Sequence, residues 1–218
     1  MSRQCDTRAG GFLSAEDHET MKRAAADFEL HVIEKFFDRS ICRHLVEEIR
    51  RAETRAALTY GKGVSGLVEE RTRNVSRATV SSASMTEVMT RLVEYLPRLR
   101  DYFGVPVSSI EEPQFLWYGP GDFFVAHQDG NTKLIQLESD RLRRISLSVF
   151  LNQQADSESP DCYSGGSLVF SDRLRGERRV IRGETGKLVA FRSELTHEIT
   201  PIENGDRFAI VTWCRIVG

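Results

Sequence analysis

From Gln114 onward the chain offers no run of apolar residues at helical spacing. It breaks instead into short segments rich in β-branched and aromatic residues, separated by turn formers. Segments at 114–118, 123–127, 145–152, 167–170, 178–181, 187–191, 198–202 and 208–216 read as strands. Gly183-Glu184-Thr185-Gly186 and Asn204-Gly205 supply turn chemistry between neighbours. So many short strands in a row suit a double-stranded β-helix, or jelly roll. The helical patterns all come earlier, so the fold class is α+β, with N-terminal helices packed on one sheet from outside.

Those earlier patterns are readable one by one. Ser14 and Asp17 resemble a capping box, and Met21, Ala25 and Phe28 follow at helical spacing, predicting a helix over 15–27. Residues 28–37 read as a strand. Asp38 is placed to cap a helix whose inward stripe is Ile41, Leu45, Ile49 and Ala52. A Gly-rich connection from Tyr60 to Gly66 lacks the spacing of a phosphate-binding loop. Arg71, Arg73 and Arg77 follow in a segment whose alternation puts all three on one strand face, at a site mouth or in water. A further helix over 86–103 buries Val88, Leu92, Leu96 and Leu99, and Pro97 is expected to kink or restart it. Asn152 to Ser164 reads as an exposed polar loop over one end of the barrel. The 218 residues are read as one domain, with 1–113 as helical support and 114–218 as the jelly-roll core.

Composition narrows the function classes. A net charge of −2 gives no basic footprint for nucleic acid or a membrane surface, and no apolar run of spanning length occurs. Cys5, Cys42, Cys162 and Cys214 are scattered without a Cys-x-x-Cys pair, which fits reduced thiols in a cytoplasmic protein.

Within the strand-rich part, His127-Gln128-Asp129 closes one candidate strand. In extended chain alternate side chains share a face, so His127 and Asp129 point the same way. His197 is the one histidine downstream of them. Two histidines and a carboxylate make the facial triad of non-haem Fe(II) oxygenases, which leaves open coordination positions. Arg207 lies on the following strand. A guanidinium facing such a site needs an anionic partner, and its planar fork suits a carboxylate. A dicarboxylate with one end on iron and the other on Arg207 meets both needs. His18, His31 and His44 sit in the helical part and read as structural.

The spaced motifs resemble the 2-oxoglutarate/Fe(II)-dependent dioxygenases, and within them the prolyl 4-hydroxylase-like family. Tyr118-x-x-Gly121 ahead of His127-x-Asp129 carries the resemblance. So do Tyr163-Ser164-Gly165-Gly166-Ser167-Leu168-Val169-Phe170, Gly186-Lys187-Leu188-Val189-Ala190-Phe191, His197-Glu198-Ile199 with Pro201, and Gly205 to Ile210 with Trp213. It covers roughly residues 114–216. The resemblance implies Fe(II) on His127, Asp129 and His197, 2-oxoglutarate as co-substrate with its far carboxylate on Arg207, and Tyr118 as a hydrogen-bonding neighbour. It implies O2 consumption with release of succinate and CO2, and ascorbate as a candidate further cofactor. With a carboxylate at Asp129, hydroxylation is expected over the halogenation that relatives with a small residue there perform. Two departures stand out. Some relatives have a tyrosine where this chain has Phe150, leaving Ser146 and Ser148 as hydroxyls on the same strand face, and some have a threonine at the position of Val211.

The substrate expected is a prolyl or other amino-acid unit, in a peptide or free, with a natural-product small molecule as the main rival. Specificity would lie in the regions 61–77, 130–144 and 152–164. A sensor that binds iron and 2-oxoglutarate without turnover is a weaker alternative. A zinc hydrolase has no use for Arg207, and no His-Glu-x-x-His is present.

Overall fold

A computed structural model describes residues 28–216, apart from 57–58, 62–63, 68–72, 134, 136, 157–158, 160 and 173. The helix expected over 15–27 and the position of Arg71 lie outside the described residues. The architecture is the expected α+β jelly roll. The larger sheet runs in the order His31–Ile33, Leu188–Arg192, Arg143–Phe150, Arg207–Arg215, Gln114–Tyr118, Ser76–Ala78 and Thr54–Ala56, with Ser109–Ile110 paired to the end of Arg207–Arg215. The smaller sheet runs Glu177–Ile181, Leu168–Asp172, His197–Ile199, Phe123–His127 and Arg73–Asn74. Every pairing within these two sheets is antiparallel.

Alternation along the strands divides the core into two layers. Phe115, Ile145, Leu147, Val149, Leu188, Ala190 and Ile210 face outward from the larger sheet, onto Leu45, Ile49, Val88, Leu92 and Leu99 of two helices. Leu116, Tyr118, Phe150, Val189 and Phe191 face inward, against Leu168, Phe170 and Ile199 of the smaller sheet. The helices thus cover one face of the larger sheet, while its other face closes the barrel.

Several local expectations need correction. The strand expected over 28–37 forms only at His31–Ile33. The backbone N–H groups of Phe36 and Phe37 turn instead to the Gly186 carbonyl, 2.8 and 3.2 Å away, and both rings enter the helix-covered core. A Cβ on Gly186 would collide with the Phe37 carbonyl, so this close approach requires glycine. The helix Arg39–Arg51 begins after Asp38, but the Asp38 side chain makes no capping bond, and the buried stripe is Cys42, Leu45, Val46 and Ile49. The helix Ser82–Phe103 buries the four expected residues and runs through Pro97 as one element. Pro97 and Val93, whose carbonyl loses its helical partner, both lie on the exposed side, where water can serve it. The Gly-rich connection is a hairpin, Thr59–Gly61 with Val64–Leu67.

The strand expected over 198–202 is two, His197–Ile199 and Ile202–Asn204, parted at Pro201, which has no N–H for the ladder. Nor is the 152–164 segment merely an exposed loop. Gln153–Gln154 pairs in parallel with Cys162–Gly165, and Asn152, Gln154 and Tyr163 are buried. Asn152 binds the Phe208 N–H (2.9 Å) and the Asp206 carbonyl (2.8 Å), bracing the start of the Arg207 strand. The region 1–113 is also less helical than expected, since its described residues add several strands to the two helices.

Candidate active site

His127 ends the strand Phe123–His127, and His197 begins the antiparallel strand His197–Ile199 directly opposite it. Cross-strand partners share a face at close Cβ separation, and the two rings lie 4.2 Å apart between centroids. Asp129 leaves its strand two residues later and is held by its own N–H to the Ser193 carbonyl (2.9 Å), where the Gly130 N–H also converges (3.1 Å). A Cβ on Gly130 would meet Arg143 Cβ and the Asp140 carbonyl at 2.6 Å, so the bend around Asp129 depends on glycine. Asp129 Oδ1 then lies 3.4 Å from His127 Nε2, and Oδ2 lies 3.4 Å from His197 Nε2. The three sequence-predicted ligands therefore meet, their ligand atoms all within 4.8 Å of one another.

The hydrogen bonding tests whether this cluster fits a cation. His127 Nδ1 lies 2.9 Å from the Val125 carbonyl, and His197 Nδ1 lies 2.9 Å from the Leu195 carbonyl. A carbonyl only accepts, so each Nδ1 carries the proton and each neutral ring turns an Nε2 lone pair toward Asp129. Burial above all pushes His197 down to about 4, which keeps it neutral near pH 7. Burial pushes the Asp129 carboxyl up, but the adjoining His197 and His127 and the Ser146 hydroxyl together bring it below the usual carboxylate range. Two lone pairs and an ionised carboxylate are thus aimed at one another, an arrangement of acceptors that a divalent cation resolves. The donor set fits Fe(II).

Around the cluster the supports are dense. Ser146 Oγ donates to Asp129 Oδ2 at 2.7 Å and lies 3.0 Å from Ser193 Oγ. That hydroxyl, one of the two on the strand face of Phe150, is engaged with Asp129, while Ser148 lines the cavity. Gln128 Nε2 donates to the Glu194 carbonyl (2.7 Å), tying the two ligand-bearing segments together. Arg143 forks onto Glu111 with two 2.7 Å bonds, adds Asp140 at 3.2 Å, and stacks over Trp213 at 3.9 Å. No sequence signal marked Gln128 or Arg143, because both roles depend on where a distant segment's carbonyl or acid arrives.

Across a cavity of about 230 Å³ from the histidines, and lining it with them, stands Arg207. It is 1% exposed, yet its Nε and Nη2 have no hydrogen-bond partner and no ion pair reaches it among the described residues. Its contacts are the faces of Tyr118 (4.9 Å) and Phe150 (5.2 Å). Burying a guanidinium so incompletely satisfied is costly, and an anion entering the cavity would remove that cost. Tyr118 pairs with Arg207 across the sheet and offers it a ring face.

Arg73 and Arg77, two of the arginines at the expected mouth, do not share one strand. Arg73–Asn74 pairs with Phe123–Phe124 in the smaller sheet, and Ser76–Ala78 pairs with Phe115–Trp117 in the larger one, the chain changing sheets at buried Val75. Arg77 lies opposite cavity-lining Leu116 and pairs with Glu112 at 3.2 Å. Among the described residues no helix is long and apolar enough to cross a membrane.

Residues 113–215 match the family model described as the 2OG-Fe(II) oxygenase superfamily. The chain is 29% identical over 187 residues to a PKHD-type hydroxylase of Psychrobacter sp., covering 84% of this chain and 68% of that one. A PKHD-type hydroxylase of Shewanella sp. is 34% identical over 103 residues, 46% of this chain but only 41% of its relative. Among solved structures, a Pseudomonas putida prolyl-4-hydroxylase superposes with a TM-score of 0.67 at 20% identity, covering 87% of this chain and 94% of that one. A Trichoplax adhaerens prolyl hydroxylase, in complex with a hypoxia-inducible-factor oxygen degradation domain peptide fragment, gives 0.64 at 16%, with 93% and 94% covered.

Proposed function

Because this chain belongs to the 2OG-Fe(II) oxygenase superfamily, a group of iron-dependent enzymes, we propose that it hydroxylates an aliphatic C–H of a prolyl or other amino-acid unit. One observation carries the reading: a metal-ready triad and an orphaned, buried Arg207 line the same cavity from opposite sheets. His127, Asp129 and His197 hold Fe(II), and Arg207 holds the far carboxylate of 2-oxoglutarate. With both bound, iron, 2-oxoglutarate and O2 supply the oxidation, and succinate and CO2 are the co-products.

The protein's own part is preparation. Val125 and Leu195 fix both imidazoles as Nε2 ligands, and Ser146 steadies the Asp129 carboxylate. Phe124, Leu168, Phe191, Ile199 and Val211 give the cavity apolar walls that limit water. A peptide segment is the favoured substrate, supported by the peptide in the complex of the Trichoplax relative. The rim residue Arg77 is then a candidate contact. Ascorbate dependence and a cytoplasmic location go with the reading as expectations. The test is a panel of proline-containing peptides, free amino acids and small natural products, incubated with Fe(II) and 2-oxoglutarate. Succinate release with a mass gain of one oxygen on a peptide supports the proposal. If only a non-amino-acid scaffold is oxidised, the substrate class is wrong. Anaerobic 2-oxoglutarate binding without turnover on any candidate would favour a sensor.

A further inference from the structure

Beside Arg207, behind the residues that line the cavity, stands a second buried donor. Tyr163 is 1% exposed and its hydroxyl has no hydrogen-bond partner. Burial pushes the phenol up, so it carries its proton near neutral pH, while the Arg207 guanidinium is close enough to oppose that rise. Yet no aligned bond joins them, and Arg207 Nε and Nη2 are left as unpartnered as the phenol.

The surroundings make room for this ring specifically. A Cβ on Gly166 would meet Tyr163 Cε2 at 3.1 Å and Arg207 Cδ at 3.2 Å, so one glycine lies over both side chains. A Cβ on Gly183 would drive into the Tyr163 hydroxyl and would lie 2.8 Å from the Phe150 ring. The hydroxyl therefore reaches the edge of Phe150, whose face the guanidinium covers. Phe150 is the position where some relatives carry a tyrosine, so a phenol oxygen lost from one ring is supplied from an adjacent one on another strand. Protons on buried N–H and O–H groups with no acceptor are a cost that one carboxylate can relieve together.

We propose that Tyr163 is a binding residue for 2-oxoglutarate, donating its phenolic hydrogen to the far carboxylate alongside Arg207. The inference rests on the 2-oxoglutarate reading of the cavity given above. It is tested by titrating 2-oxoglutarate into the Fe(II)-loaded protein without O2, following heat and charge-transfer absorbance. Tyr163→Phe should weaken binding roughly 10- to 100-fold, as expected for a lost hydrogen bond to a charged group, with Fe(II) affinity unchanged. The loss should disappear with 2-oxopentanoate, which keeps the chelating end but lacks the far carboxylate. Phe150→Tyr added to Tyr163→Phe should restore affinity, because the oxygen returns from the neighbouring ring. Unchanged 2-oxoglutarate affinity in Tyr163→Phe overturns the proposal. Equal weakening of 2-oxoglutarate and 2-oxopentanoate also overturns it, by showing a packing role. If the unaltered protein binds no 2-oxoglutarate, the reading of the cavity itself fails and this proposal falls with it.

Discussion

The two walls of the cavity are finished to different degrees. On the smaller sheet every ligand of the metal corner is already steadied by the protein: two imidazole Nδ1 atoms on carbonyls, Asp129 on Ser146 and on the Ser193 carbonyl. Arg207 on the larger sheet, and beside it Tyr163 on the separate strand Cys162–Gly165, are buried with donors unmet. The metal corner has its geometry settled before a ligand arrives, whereas the anion corner is incomplete without one. A metal needs lone pairs held at fixed angles, which hydrogen bonds to the second ring nitrogen and the second carboxylate oxygen achieve. A carboxylate needs free N–H and O–H groups, so a site for it must leave donors unspent.

Replacing one ligand should break the first half of this contrast most severely. Alanine at His127, Asp129 or His197 is expected to abolish coupled succinate release and to lower Fe(II) affinity strongly, while circular dichroism stays native, since these side chains lie at a cavity edge. Near-normal turnover at limiting iron in any one of them would remove the triad. Arg207→Ala should act on the other wall alone. A charge-assisted pair in a sheltered site is worth about 2–4 kcal/mol, hence a roughly 30- to 1000-fold higher 2-oxoglutarate requirement with iron affinity largely intact. Arg207→Lys should recover only part of that, lacking the fork. Equal losses of iron and co-substrate affinity in Arg207→Ala would show that the two walls are not separate.

Ser146→Ala sharpens the comparison from within the prepared corner. It leaves the three ligands in place but frees Asp129 Oδ2, and supporting residues of this kind typically contribute about 10- to 100-fold in metal affinity. Iron titration should register it, and 2-oxoglutarate affinity measured at saturating iron should not. The smallest effect is expected at the rim. Arg77→Glu removes an ion pair with Glu112 whose partners are 38% and 69% exposed, so melting temperature should hardly move. The Michaelis constant for a peptide substrate should rise while that for 2-oxoglutarate does not, and equal constants would place Arg77 outside substrate recognition.

Much of this was legible in the chain because it depends on local pattern. Alternation placed the strands 114–118 and 123–127 as they are found, and the spacing of Val88, Leu92, Leu96 and Leu99 identified the buried stripe of a long helix. His127 and Asp129 could be paired from sequence because two residues of extended chain turn the same way. The choice of candidate ligands likewise rests on residue type, since lone-pair donors and a planar cation are chemical properties of single side chains.

What the sequence could not settle are relations between segments far apart. That His197 lies directly opposite His127 follows from strand register, set by packing across the sheet. The chain's change of sheet at Val75, which separates Arg73 from Arg77, breaks an alternation that holds only within one strand. Strand alternation puts the Ser146 and Ser148 hydroxyls on one face but does not say what they meet, and it is the fold that brings Asp129 to Ser146. Tyr163 stood in a segment read as exposed, and burial under two glycines beside Arg207 is a property of the assembled barrel alone. Hydrogen bonds act over about 3 Å. Residue type and short spacing are carried by the chain itself, but only tertiary packing decides which distant atoms come that close.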